Sequence, residues 1–180
     1  MTMRPRLRKF VRTAHIIVTV GWLGAVAGFL ALAIAGLTSQ DAQMVRSAYP
    51  SMELITRFVI VPLSLAPLVL TGPILSLGTP WGLFHHYWIV VKLMINILST
   101  IILLVHMQPI TYLSRVAAQG TLSSADRSLQ IQLVVAAGAG LLALLLATVL
   151  AVHKPRGITP SGWRKQYEER TVSPDPDRTT

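Results

Sequence analysis

His15, His85, His86, Lys92, His106 and His153 are the side chains that could do chemistry in a chain otherwise dominated by apolar residues. Imidazole ligates iron and copper and carries protons near neutral pH, and an ammonium group holds an anion. Laid on a helix that starts at His85, with each residue turning about 100°, Lys92 falls at about −20°, Asn96 at about +20°, Ser99 at about −40° and His106 at about −60°. These five polar side chains share one face, and Ile, Val and Leu fill the other. A polar stripe along an apolar helix belongs against protein or a cavity, because hydrocarbon cannot solvate it. Depth then separates the histidines. His85 and His106 stand about 31 Å apart along the axis, too far to share one metal or one haem. His15, His85 or His86, and His153 gather at one boundary, and His106 stands at the other.

Two readings of the first group stay open. Interfacial His, Trp and Tyr favour the headgroup layer, and Trp81, Tyr87 and Trp88 form such a belt. The alternative is haem b held between the first and third helices, with His15 and either His86 or His85 on the iron. Lys92 lies about 9 Å deeper than His86, where its stem can snorkel back to the surface or its ammonium can meet an anion such as a haem propionate. The apolar runs contain no Asp or Glu, which argues against a proton-coupled transporter. At the other boundary His106 precedes Met107, with Met44 and Met52 in the facing segment, a donor set suited to copper. The sequence shows no nucleophile–base pair, phosphate loop or paired carboxylates, so hydrolysis and phosphoryl transfer have no support.

The elements that position these residues follow from composition. Of 180 residues 52% are hydrophobic and 13% charged, and the mean hydropathy is +0.57. Four apolar runs, 16–37, 58–77, 87–106 and 129–152, are long enough for helices that cross about 30 Å of hydrocarbon. Short alternating strands, which a barrel needs, are missing. The expected fold is therefore an all-α membrane protein. It is a four-transmembrane-helix bundle over residues 1–153, followed by a basic, largely disordered tail at 154–180.

The net charge is +9, and eleven of the sixteen basic residues sit in the N-terminal arm and the C-terminal tail. That places both termini in the cytoplasm and gives the ends affinity for anionic headgroups of the bilayer. No groove-reading motif accompanies the charge, so nucleic acid is not a partner. Ala33-Ile34-Ala35 resembles a signal-peptide cleavage site, but the apolar stretch of about 22 residues exceeds the roughly 7–15 of such a signal. The first helix is read as retained. Absence of cysteine excludes disulfides and thiolate metal sites. Arginine outnumbers lysine twelve to four, a usage that fits a GC-rich bacterial genome.

Thr38–Arg57 is expected to be an external loop, with Ser39-Gln40-Asp41 starting a short surface helix. Pro62, Pro67 and Pro73 should make the second helix irregular. Gly78–His86 forms a short cytoplasmic turn around Pro80 and Gly82. Gln108–Arg127 is a second external loop. Gly24 and Gly28, with Ala139, Ala143, Ala147 and Ala151, offer close packing within the bundle first, and a homodimer contact as the alternative.

The segments TAHIIVTVGWLGAVAGFLALAIAGL, VLTGPILSLGTPWGLFHHYWIVVKL and LLVHM, spread over about half the chain from Ala14 to Met107, resemble a bacterial integral-membrane family of unknown function common in actinobacteria. More distantly, the first-helix His followed by Trp, and a later helix start with Trp and Lys, are similar to haem-binding membrane protoporphyrinogen oxidases. The early His is also similar to copper-resistance D-type membrane domains. The resemblance implies a multi-pass protein of the bacterial cell membrane, with His15 as a haem ligand or site residue and Lys92 as its charged partner. A non-enzymatic membrane subunit or scaffold that packs through the third helix is the alternative from another class.

Overall fold

The computed structural model describes residues 5–67 and 87–153, and every regular element among them is helical. Helix α1 spans Pro5–Thr38. Its buried residues Val11, Trp22, Val26, Phe29, Ala33 and Gly36 recur at helical spacing and make one stripe, on which His15 and Thr19 also lie. Proline at the first position costs nothing, since its missing N–H would have had no partner in the helix.

Helix α2 (Ala42–Ile55) begins where the Asp41 carboxylate accepts the Gln43 N–H at 2.9 Å. The segment expected as an external loop is thus mostly this helix. It leads directly into a π-turn at Thr56–Ile60 and then into α3 (Val61–Ala66). The irregularity expected from the prolines appears here. Pro62 cannot donate to the carbonyl four residues back and its ring crowds that carbonyl, and the Val61 N–H reaches the Thr56 carbonyl instead. Wider winding has a second effect: Met52, Thr56, Ile60 and Ser64, four residues apart, are all buried on one line. Thr56 Oγ1 donates to the Met52 carbonyl at 2.7 Å and Ser64 Oγ to that of Val61 at 2.9 Å, so neither buried hydroxyl is orphaned.

Helix α4 spans Tyr87–Val105, α5 Met107–Gln119 and α6 Arg127–His153. His106 is the single turn residue between α4 and α5. Most of the second expected loop, Gln108–Arg127, is therefore helix α5. Its Ile110, Leu113 and Ala117 sit at helical spacing and are buried with Tyr49 and Met52 of α2. Gly120 ends α5 in the left-handed region (φ 69°), with the Arg46 guanidinium lying where a β-carbon would stand. A one-turn 3₁₀ helix, Ser124–Asp126, then starts α6. Its Asp126 carboxylate accepts the Ser123 N–H and hydroxyl and the Tyr112 hydroxyl.

Among the described residues three helical stretches are long and apolar enough to cross a membrane: Lys9–Thr38, Val90–Gln119 and Ser124–Leu150. The remaining apolar run, 58–77, is helical as far as Ala66, and its portion beyond Pro67 lies outside the described residues. So do the 78–86 turn, apart from which α4 begins at Tyr87, and the 154–180 tail.

Helix α6 is the common support, with α1 and α4 both packed on it, while α2 packs on α1 and α5. Trp22, Val26, Phe29 and Ala33 share the core with Leu133, Ala137 and Leu144. Four of the glycines play no part in this. Nothing lies within 4 Å of where the β-carbons of Gly24, Gly28, Gly138 and Gly140 would stand. Among the described residues the expected close packing through Gly24 and Gly28 does not occur, because α1 turns its bulky stripe toward them and buries more apolar surface that way. On the α6 ladder Ala147 is buried, whereas Ala139 is exposed.

Candidate site at the His15 and Lys92 end

The polar face of α4 is turned inward. Thr100 is buried and Lys92, Asn96 and Ser99 are half-buried, while Val91, Met94, Leu98, Ile101, Ile102, Leu104 and Val105 are exposed. All of those exposed positions except Ile102, at about 80°, lie about 100° or more from the centre of the polar line. The helix thus hides what hydrocarbon cannot solvate and shows what it can. Thr100 Oγ1 donates to the Asn96 carbonyl at 2.8 Å, which ties the stripe to its own backbone.

Near the start of that stripe, Lys92 lies within electrostatic reach of His15 on α1. Both are half-buried. One turn further on, Thr19 Oγ1 donates to the His15 backbone carbonyl at 2.7 Å, so that hydroxyl is satisfied within α1. Further along the same stripe Trp22 is buried, and its indole N–H has no acceptor among the described residues. An imidazole and an ammonium within electrostatic reach of each other, in helices that carry no carboxylate of their own, make a basic spot in low-dielectric surroundings. Such a spot suits an anionic group, and the imidazole adds a nitrogen donor for a metal.

The structure brings together His15 and Lys92 of the residues singled out above. His85 and His86 lie outside the described residues. His153 is the last residue of α6. His106 stands at the opposite end, where its Nδ1 is 2.7 Å from the Ile102 carbonyl. That leaves Nε2 for any other partner. Of the methionines near it, Met52 is fully buried in the core and Met44 is exposed on α2. Among the described residues no three His, Cys, Asp or Glu side chains cluster as a metal set.

Sequence reasoning missed the indole N–H of Trp22 and a polar groove beside α5. The Trp22 signal was present in the spacing His15–Thr19–Trp22. The groove is hidden in the sequence because the Gln, Thr, Ser and Arg residues of α5 have the composition of a loop.

No protein-family model, curated protein or solved structure matches the chain. Its class rests on its own fold: the described residues form an all-helical assembly, and three long apolar helices among them are compatible with an integral membrane protein.

Proposed function

We propose that this is a four-pass protein of the bacterial cell membrane, with both termini cytoplasmic, and that it binds haem b for redox work or haem handling. His15, with His86 or His85, would hold the iron, and Lys92 would pair with a propionate. The observation that carries the reading is that His15 and Lys92, both half-buried on inward faces of two helices, lie within electrostatic reach of each other. Bound haem would supply one-electron chemistry at its iron. The chain's own part is to hold it: α1 offers the nitrogen, α4 the positive charge, and the apolar stripe from Trp22 to Phe29 excludes water. Trp22 also offers an indole N–H still in need of an acceptor.

The test is an absorption spectrum of protein purified in detergent from a haem-replete host. A Soret band that disappears in His15→Ala and weakens in Lys92→Gln is the expected result. A colourless wild-type protein overturns the haem reading and leaves a non-enzymatic membrane subunit or scaffold. Copper that co-purifies and is lost in His106→Ala, with His15→Ala unaffected, would move the function to the opposite end.

A further inference from the structure

A groove of about 340 Å³ opens between the π-turn and α5, lined by Arg57, Met107, Gln108, Thr111, Tyr112 and Arg115. It lies at the His106 end of the molecule, away from His15 and Lys92. Its charge is unbalanced. Glu53 accepts from Arg57 Nη2 at 3.3 Å and from Thr111 Oγ1 at 3.1 Å, which joins α2 to α5 and uses the nearest carboxylate. The Asp126 carboxylate is taken up by Tyr112 and Ser123. Arg115 is exposed and makes no ion pair among the described residues. Neither carboxylate is among the lining residues, whose charged members are Arg57 and Arg115, so the wall of the groove is positive and is edged by the side-chain donors of Gln108 and Thr111.

The flanks of the groove are apolar and uncovered. Phe58, next to Arg57, is 70% exposed, Val105, two residues before Met107, is 67% exposed, and Leu54 and Leu104 are exposed as well. Positive charge above exposed hydrocarbon is the complement of an amphiphile with an anionic head. Arginine is suited to phosphate because its planar fork donates two parallel hydrogen bonds. We infer that this groove binds an anionic phospholipid, with Arg57 and Arg115 on the phosphate and the acyl chains along Phe58 and Val105.

The experiment is native mass spectrometry of the full chain in detergent, with phosphatidylglycerol or phosphatidylcholine added. The expected result is a phosphatidylglycerol adduct about tenfold weaker in Arg115→Gln, the effect of losing one charge-assisted contact. The zwitterionic lipid should bind more weakly than the anionic one, and Arg127→Gln, a change outside the groove, should leave the adduct intact. Arg115→Lys serves where the glutamine variant does not fold, and it should give an intermediate loss because charge stays and the fork goes. Equal adducts of the two lipids, or equal losses in the Arg115 and Arg127 variants, would overturn the site. Displacement of the lipid by inorganic phosphate would overturn the lipid assignment in favour of a free anion.

Discussion

Tyr49 and Gly36 form a matched pair. The Tyr49 ring is buried, and a β-carbon at Gly36 would stand 2.9 Å from its Cε2 and Cζ. The hydroxyl has no hydrogen-bond partner among the described residues. Burying an unpaired hydroxyl costs about 1–3 kcal/mol, so Tyr49→Phe should raise the thermal midpoint, measured in detergent by tryptophan fluorescence. Burial pushes the Tyr49 phenol up to about 12. The unfolded chain releases that proton near 10, so stability contributed by the neutral phenol is present below pH 10 and is lost as pH rises toward 12. Titration of wild type against Tyr49→Phe in that window should show the extra alkaline loss in wild type alone. Gly36→Ala forces a β-carbon against a ring with nowhere to move, and should cost about 1–3 kcal/mol by the same measurement.

At the scale of elements, α4 and α5 show what each kind of pattern reveals. The inward turn of Lys92, Asn96 and Ser99 was legible in the sequence because a polar stripe in an apolar helix has one low-energy orientation. The α5 helix was legible in principle from Ile110, Leu113 and Ala117, yet its Gln, Thr, Ser and Arg residues have the composition of a loop. Its partner face on α2 lies some sixty residues earlier in the chain, and that tertiary contact selects helix. Leu113 is fully buried at this contact, so Leu113→Ala should lower stability by about 2–5 kcal/mol and free α5 for proteolysis, while Gln119→Ala on the exposed side should not. The π-turn was legible only as an irregularity. Three prolines announce a disturbed helix, but where the backbone absorbs it depends on which residues must stay buried.

For the whole molecule, the helical class and the long apolar helices were plain from run length and hydropathy. The pairing of helices was not. Glycines at Gly24 and Gly28 looked like packing positions, but surface area decided the matter, and α1 faces α6 through Trp22, Val26 and Phe29. Nor could single-chain spacing show that His15 and Lys92 approach each other, since two helices can meet through many rotations. Orientation is open to a direct test because the protein has no native thiol. Ser173→Cys should react with an impermeant maleimide only after cells are opened, and Ser124→Cys in intact spheroplasts. The reverse pattern would invert the topology proposed from the basic ends.

The π-turn carries one residue more than a regular α-helical path between Met52 and Ser64 needs. Removal of Val59 would leave Met52, Thr56, Ile60 and Ser64 separated by four, three and four positions, the spacing an ordinary α-helix keeps on one side. A one-residue deletion there should therefore be accepted, with the chain still folding and inserting. The same deletion at Ala27 in α1 would swing the Val11 end of its stripe, His15 and Trp22 included, by about 100° relative to Phe29 and Ala33. The Thr56–Ile60 segment is thus the place in this chain where length can vary without loss of register.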